Sequence, residues 1–334
     1  MTEGPSLADE THRGRRWSAG VIRPMRAADL PSCADVFYAA LDELYARVGR
    51  PPLPNNPEPI MRLFGHLLET DPGRCHVAET GSGVVAFGIA HRRASTWFLS
   101  FLFVHPEHQS AGLGRQLTMR CLAEGDGEAD GTGSLASDGP LTYAVCAESI
   151  QPVSLALYAS LGMRPRVPIL LLTGRPTPGQ PVGDPAELEA SPFSELAALD
   201  HGALAAAIGA IDLATLGYEH PQDHRFLARS GRQAWLFRER AEGATVGYGY
   251  VQPSGRVGPV ATTGSRWLGS ALAYLFGAVR PSDAWQVHVP GPSPVLAPLL
   301  RGGFRLDGDA PILWSATSDG PDFERYLLGS YAVL

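Results

Sequence analysis

The stretch that decides the fold is Ser100–Thr118, SFLFVHPEHQSAGLGRQLT, in which an apolar run, a glycine-bearing loop and a helical pattern follow one another. Residues 98–104 are almost all apolar, as a strand buried on both faces requires. Small residues at Ala111, Gly112 and Gly114 allow successive backbone N–H groups to converge at the positive end of the helix. The stretch therefore predicts a strand, a loop and a helix that together bind a phosphate or pyrophosphate.

The two common nucleotide-binding motifs do not fit this loop. It has no Gly-Lys-Ser or Gly-Lys-Thr, as a P-loop would, and no third glycine at the dinucleotide-binding spacing. A glycine pair between a strand and a helix can also simply turn the chain, and this alternative stays open. The string Gln109-x-x-Gly112-x-Gly114, placed directly after an apolar strand, resembles the acetyl-CoA-binding motif Q/R-x-x-G-x-G/A of the GNAT superfamily of N-acetyltransferases.

This resemblance implies that acetyl-CoA is the co-substrate. In the family, backbone N–H groups at the end of the strand stabilise the oxyanion, and the loop holds the pyrophosphate. The residues that match these positions are Leu102, Phe103, Val104, Gln109, Ser110, Ala111, Gly112, Leu113, Gly114 and Arg115.

A second resemblance lies in the helix that Gln151-Pro152 opens. Many GNAT enzymes carry E-N-x-x-A-x-x-L-Y-x-x-x-G-F here, and this chain matches it with glutamine for asparagine and methionine for phenylalanine: Glu148, Gln151, Ser154, Leu157, Tyr158, Gly162 and Met163. The resemblance implies that Tyr158 protonates the departing thiolate, and that Gln151 and Ser154 contact the cofactor. The alternative is that Tyr158 is a core residue.

The general base is not identified by the sequence. Some GNAT enzymes have a glutamate where this chain has Phe98, and the alternation of the strand gives Ser100 the same orientation. The predicted catalytic residues are Tyr158, Ser100 and Glu148, while His105 or a chain of water molecules also remains open as the base.

The order of predicted elements extends the resemblance to the whole chain. With 334 residues the protein is long enough for about two domains. The first half reads as strand, helix, helix, three strands and a helix, which is the GNAT order, and a Gly-rich tract at 125–140 predicts a mobile loop. The second half repeats this order in outline, and Phe304–Trp314 predicts a last strand.

The second half lacks the residues that the resemblance requires for catalysis. Thr262–Trp267 stands in the place of the cofactor loop without a glycine pair, and Leu299 stands in the place of Tyr158. We therefore predict an α/β protein with a mixed sheet and two tandem GNAT folds. Its predicted parts are a disordered lead at 1–19, a catalytic domain at 20–173, a linker at 174–192 and a degenerate GNAT-like domain at 193–334.

Composition narrows the range of partners and cofactors. The net charge of −7 argues against a nucleic-acid partner. No run is long enough to cross a bilayer and the lead has no apolar core, so we expect a cytoplasmic protein without a membrane partner. The four cysteines show no C-x-x-C spacing and no paired histidines at ligand spacing are found, so we expect neither a metal nor disulfides.

The function predicted from the sequence is transfer of the acetyl group of acetyl-CoA to a primary amine of a small molecule or peptide. The alternative is a non-catalytic acyl-CoA-binding sensor or interaction protein. The acceptor, the acyl-chain preference, homodimer formation and any role of the Leu334 carboxylate in the active site stay open.

Overall fold

The structure is a computed structural model that describes Trp17 and residues 19–109, 112–123, 142–318 and 320–333. Three predictions fall wholly or largely outside these ranges. They concern the lead at 1–19, of which only Trp17 and Ala19 are described, the loop at 125–140, and the motif residues Ser110 and Ala111.

The first half of the chain has the predicted order of elements. They are β1 (Val21–Pro24), α1 (Leu30–Arg47), α2 (Pro57–Thr70), β2 (Cys75–Thr80), β3 (Gly83–Arg93), β4 (Thr96–Val104), α3 (Leu113–Leu122), β5 (Thr142–Ala147), α4 (Pro152–Ser160) and β6 (Arg164–Gly174). The strands β2 and β3 pair antiparallel from Thr80 opposite Gly83 and form a hairpin around Gly81-Ser82.

The second half repeats the same order through its last helix and then ends in three short strands instead of one. It contains β7 (Leu188–Pro192), α5 (Phe193–Thr215), α6 (Pro221–Arg229), β8 (Gln233–Glu239), β9 (Thr245–Val251), β10 (Arg256–Thr262), α7 (Arg266–Ala278), β11 (Trp285–Pro290), α8 (Leu296–Arg301), β12 (Arg305–Leu306), β13 (Ile312–Ser315) and β14 (Tyr326–Leu327). Sequence analysis missed β7 and α6, and these two elements complete the repeat.

Proline starts several helices, because its fixed φ suits the first turn and its missing N–H costs no hydrogen bond there. Pro31, Pro57, Pro152 and Pro221 all lie at the first or second helical position. Asp29, the residue before α1, does not cap that helix with its side chain. Its carboxylate instead accepts hydrogen bonds from the Arg26 amide and the Arg23 guanidinium.

Contacts within the chain define two compact units. The first lies within Met1–His91 and Leu99–Ser134, and the second within Arg92–Phe98 and Leu135–Leu334. In the first unit the strands follow the order β1, β2, β3, β4. Five phenylalanine rings form its aromatic core, with centroid separations between 4.8 and 6.4 Å: Phe37, Phe64, Phe87, Phe101 and Phe103.

In the second unit the strands follow the order β5, β13, β6, β11, β10, β9, β8, β7. β10 and β11 run parallel, whereas β6 is antiparallel to both β11 and β13, so the sheet is mixed. Apolar side chains cover both faces of this sheet.

The prediction of one last strand from Phe304 to Trp314 is wrong. The segment breaks into β12 and β13, separated by a stretch that contains Gly308 and Pro311. β13 inserts between β5 and β6, with Leu313 opposite Cys146 on one side and Val167 on the other. A strand from the end of the chain therefore completes the hydrogen bonding of two strands from the first half.

Of the described helices, α5 alone is long and apolar enough, by length and composition, to cross a membrane. Its backbone leaves the helical conformation at Asp200, with φ −155° and ψ 97°, so it consists of two shorter helices. Ile208 and Ile211 of the second part pack in the core of the second unit. These features are those of a helix that packs on a sheet.

Candidate active site

The predicted cofactor loop connects β4 to α3. Gly112, the residue that precedes α3, has φ 77° and ψ 2°, in the left-handed region that a residue with a Cβ adopts only at a cost. The first intrahelical bond runs from the Gln116 amide to the Gly112 carbonyl at 3.2 Å. The N–H groups of the preceding first turn have no intrahelical acceptor, so this helix end is suited to bind an anion.

The side chain of Gln109 shapes this loop. Its Nε2 donates to the Val104 carbonyl at 3.1 Å, which joins the end of β4 to the first residue of the motif. The His105 amide donates to the Val85 carbonyl at 2.8 Å and fixes the point where the chain leaves β4. The described part of the loop is thus held by two hydrogen bonds on the side that faces the sheet.

The predicted residues of β4 divide between its two faces. Leu102 and Val104 pack against a cluster that contains Leu113 and Leu117 of α3. Phe103 points the other way and stacks on Phe87 with ring centroids 5.7 Å apart. The apolar contacts on both faces hold the start of α3 against the end of β4, while Gly112 remains exposed and Gly114 and Arg115 are partly exposed.

Ser100 lies in the first unit and its hydroxyl is already engaged. Its Oγ lies 2.8 Å from Nδ1 of His91 on β3, and His91 is buried. The direction of this hydrogen bond depends on the tautomer of His91. The position of Ser100 as a catalytic residue stays a prediction.

Tyr158 lies in the second unit on α4 and is 4% exposed. Burial, and then the nearby Cys146 thiol, raise the pKa of the Tyr158 phenol well above its usual value. Gly162, at φ 89°, ends the helix, and the Met163 amide donates to the Tyr158 carbonyl at 3.1 Å. The phenol therefore keeps its proton at neutral pH, as a general acid must before it reacts.

The other predicted residues of the second unit surround the start of α4. The Glu148 carbonyl accepts from the Gln151 amide at 3.1 Å, and the Ser154 hydroxyl donates to the Gln151 carbonyl at 3.0 Å. The Oε1 atom of Gln151 is buried and has no hydrogen-bond partner among the described residues. A buried acceptor without a partner is uncommon in a folded protein and marks a place where a ligand donor fits.

A second buried amide without a partner lies in the first unit. The Nε2 atom of Gln116, in the first turn of α3, makes no hydrogen bond within the described chain. Gln116 lies beyond the motif, which ends at Gly114, so the sequence pattern does not indicate it as a cofactor-binding residue. The structure thus groups the loop residues with Gln116 in the first unit, and groups Glu148, Gln151, Ser154 and Tyr158 in the second.

The corresponding loop of the second half, between β10 and α7, is built differently. Gly269 in α7 lies so close to the chain at Val182 that an added Cβ would stand 2.6 Å from the Val182 carbonyl. Ser270 donates to Glu187 at 2.8 Å. Residues that sequence analysis described as a linker therefore lie over the first turns of α7, and Trp267 and Leu299 are buried in the core beside it.

One buried cluster was missed by sequence analysis. Asp212 of α5, His220 at the start of α6 and His224 within α6 offer one potential metal-ligand atom each, all within 4.8 Å of one another. The statement that no paired histidines occur at ligand spacing is wrong, because His220-x-x-x-His224 has such a spacing. The pair was overlooked because α6 was not predicted, and only a helix places these residues on one face.

The side chains of this cluster shift one another's pKa values. Burial opposes the ionised form of Asp212, yet the neighbouring imidazoles of His220 and His224 lower the pKa of its carboxyl to about 2. Burial likewise opposes a charge on His220, but Asp212 and Asp223 raise the pKa of this imidazole to about 9. Burial lowers the pKa of His224. In the absence of any other cation, a protonated His220 therefore balances the carboxylate of Asp212.

Comparison with known proteins agrees with the repeated architecture. Residues 71–162 match the family model described as an acetyltransferase (GNAT) domain. Among solved structures, a proposed acetyltransferase from Pyrococcus horikoshii has a TM-score of 0.70 at 16% identity, with 97% of this chain and 99% of that one covered. A GCN5-related N-acetyltransferase from Sphaerobacter thermophilus has a TM-score of 0.62 at 18% identity, with 90% and 96% covered.

A tandem GNAT protein from the clavulanic acid biosynthesis pathway has a TM-score of 0.52 at 18% identity, with 90% of this chain and 99% of that one covered. A search of curated protein sequences finds no match. The fold of the chain and the motif loop at residues 109–115 are those of the GNAT class. The chain has the fold of tandem GNAT proteins, and its residues 71–162 match the acetyltransferase (GNAT) domain model.

Proposed function

We propose that this protein transfers the acetyl group of acetyl-CoA to a primary amine of a small molecule or peptide. The observation that carries the proposal is Gly112, in the left-handed conformation at the start of α3, within a loop that Gln109 ties to the end of β4. Such a helix start offers free backbone N–H groups to a pyrophosphate. The second half lacks this arrangement, so we propose one acetyl-CoA site for each chain.

The chain offers further groups that fit acetyl-CoA. Residues 109–115 would hold the pyrophosphate, with Gln116 as an additional donor in the same turn. Gln151 offers a buried acceptor at the start of α4, where Ser154 is also predicted to contact the cofactor. Backbone N–H groups of residues 102–104 would stabilise the oxyanion.

The proposed reaction is a direct transfer. The amine nitrogen forms a bond to the thioester carbonyl carbon, and the electron pair of the carbonyl moves to oxygen. When this tetrahedral intermediate collapses, the carbon–sulfur bond breaks and the thiolate of CoA takes a proton from Tyr158. The amine nitrogen loses its own proton to solvent or to a base such as Glu148, and the phenolate regains one from solvent.

Tyr158 carries its phenol proton at neutral pH, as a proton donor must, while burial raises its pKa and makes the phenol a weaker acid. Ser100 remains a further catalytic candidate, since its hydroxyl is held in place by His91 on the strand that precedes the loop.

The test combines acetyl-CoA titration of the full chain with a thiol-release assay against a library of amines. For Tyr158→Phe we expect kcat to fall roughly 10²–10⁴-fold, as loss of a general acid predicts, with the acetyl-CoA Kd almost unchanged. Tyr143→Phe is the matched control, because Tyr143 is another buried tyrosine in the same unit, packed on Trp97.

Each result has a distinct meaning. An unchanged kcat in a reaction limited by chemistry would assign Tyr158 to the core. Tight acetyl-CoA binding without turnover of any amine would favour the non-catalytic sensor. Two equivalent acetyl-CoA sites for each chain would contradict the proposed difference between the two halves.

A further inference from the structure

The cluster formed by Asp212, His220 and His224 lies inside the second unit, far along the chain from the GNAT motif residues. Asp212 and His220 are each 1% exposed and His224 is 8% exposed. Ionisable side chains are rarely buried this deeply unless a partner or a bound ion compensates for the lost hydration. The hydrogen-bond and charge partners of these three side chains therefore indicate whether the cluster binds an ion.

Two carboxylates lie at this cluster, those of Asp212 and Asp223, and Asp223 forms an ion pair with Arg93. Arg93 donates to both oxygens of Asp223, from Nε to Oδ2 at 2.7 Å and from Nη2 to Oδ1 at 2.9 Å. The carboxylate of Asp212, by contrast, is surrounded by the two imidazoles and by the Tyr248 hydroxyl, which donates to Oδ1 at 2.7 Å. A further cation is needed beside Asp212, unless an imidazole carries the charge itself.

The geometry of His220 does not suit an imidazolium that bridges two carboxylates. Its Nε2 is 3.5 Å from Asp212 Oδ1 and its Nδ1 is 3.4 Å from Asp223 Oδ2. Charge-assisted hydrogen bonds are shorter, about 2.7–2.9 Å, and neither ring nitrogen has a hydrogen-bond partner among the described residues. Two nitrogen atoms buried in this way need another partner.

These distances suit ligands that share one metal ion. In a tetrahedral zinc site with bonds of about 2.0–2.2 Å, neighbouring ligand atoms lie about 3.3–3.6 Å apart. The pair His220 Nε2 and Asp212 Oδ1, at 3.5 Å, has this separation. One ligand atom from each of the three residues lies within 4.8 Å of the others.

Outer partners are present for every proposed ligand. Asp223 faces the Nδ1 atom of His220, and the Tyr250 hydroxyl lies 2.7 Å from Nδ1 of His224. Tyr248 donates to the carboxylate of Asp212. A histidine that binds zinc through one nitrogen characteristically places its other nitrogen against a carboxylate or another polar group, which fixes the tautomer and the ring orientation.

A cavity gives the cluster access to solvent and space for a further ligand. Its volume is about 570 Å³ and its walls are mainly apolar side chains of α5, α6 and β8. Asp212, His224 and Tyr250 line it together. A metal ion held by three protein groups beside such a space keeps one coordination position for water or for a donor atom of a small molecule.

We propose that Asp212, His220 and His224 form a binding site for a divalent transition metal, best matched by Zn²⁺, with its fourth position open to this cavity. Two imidazoles and one carboxylate are a ligand set typical of zinc with an open position. The divalent ion supplies the positive charge that Asp212 requires. This inference goes beyond the proposed acetyl transfer and does not depend on it.

The experiment uses the full chain, purified without a polyhistidine tag, stripped with a chelator and titrated with ZnCl₂ by calorimetry. Binding of Co²⁺ is followed by its visible absorption. We expect one Zn²⁺ for each chain with a submicromolar Kd, and a tetrahedral Co²⁺ spectrum without the intense band of a thiolate ligand. A thiolate band would overturn the assignment, because it would place the ion on a cysteine.

Variants test the individual residues. His220→Gln and His224→Gln should each weaken Zn²⁺ binding at least about 100-fold, while Tyr250→Phe, which keeps all three ligands, should weaken it about 10–100-fold. His201→Gln is the matched control, because His201 lines the same cavity outside the cluster. It should leave the Kd unchanged.

Two outcomes overturn the proposal without relying on a variant that folds poorly. One is a full-length chain that binds no Zn²⁺ at micromolar concentration, which would make His220 a buried imidazolium. The other is Zn²⁺ binding that persists in a folded variant lacking both histidines, with folding checked by circular dichroism.

Discussion

Removal of the Arg93 guanidinium should destabilise the protein strongly, because it leaves a carboxylate buried without its partner. The Arg93 and Asp223 side chains are 2% and 1% exposed and form two short hydrogen bonds, at 2.7 and 2.9 Å. Breaking a buried pair by removing one partner costs about 3–5 kcal/mol. Domains are stable by only about 5–15 kcal/mol, so Arg93→Met should remove a large part of the stability of this unit.

The double variant Arg93→Met/Asp223→Leu shows whether the lost stability comes from the buried charge of Asp223 or from lost side-chain packing. It removes both charges and keeps apolar volume at both sites, so it should be more stable than Arg93→Met alone, with a coupling energy of at least about 2 kcal/mol. Arg62→Met is the surface control. Its partner Glu58 lies four residues earlier on the exposed face of α2, and loss of such a pair costs about 0.5 kcal/mol or less.

The measurement is urea denaturation of the full chain at pH 7, followed by tryptophan fluorescence and circular dichroism. Both probes are needed because a chain with two units can unfold in more than one step. The reasoning is refuted if Arg93→Met loses less than about 1 kcal/mol, or if the separately measured effects of Arg93→Met and Asp223→Leu simply add in the double variant.

Two further predictions concern the loop and the last strand. Gly112→Ala should cost about 1–2 kcal/mol of stability, because its φ is 77°, and should also weaken acetyl-CoA binding, measured by calorimetry. Gly49→Ala, at φ 71° with no atom close to an added Cβ, should cost similar stability and leave the acetyl-CoA Kd unchanged; equal effects of both variants on Kd would contradict a role for Gly112. Truncation after Thr173 should abolish cooperative unfolding of the fragment, because it removes β13 from between β5 and β6 and leaves both strands with unpaired edges. A fragment of residues 20–173 with a sharp urea transition would contradict this expectation.

The sequence by itself was sufficient to predict the features that depend on neighbouring residues of the chain. The apolar run of β4, the glycines after it and the start of α3 lie within 20 consecutive residues, so their structure follows from patterns of neighbouring side chains. Most of the predicted helices and strands are confirmed for the same reason, since periodic apolar positions report which face of an element is buried. The resemblance to GNAT proteins depended on these local strings and agrees with the family match at residues 71–162.

The tertiary structure decided features that depend on residues far apart in the chain. β7 is a short strand whose pairing with β8 overrides the proline- and glycine-rich composition around it. β13 is hydrogen-bonded to strands more than 140 residues earlier, with Ile312 opposite Pro168 and Ala147, and no local pattern specifies that partner. Asp212, His220 and His224 meet only because α5 and α6 pack on one sheet, and Arg93 reaches Asp223 across 130 positions of sequence. The tendency of a segment to form a helix or a strand depends on its neighbours in the chain. Which side chains are buried, which strands pair and which buried charges need an opposite charge beside them depend on how the whole chain folds.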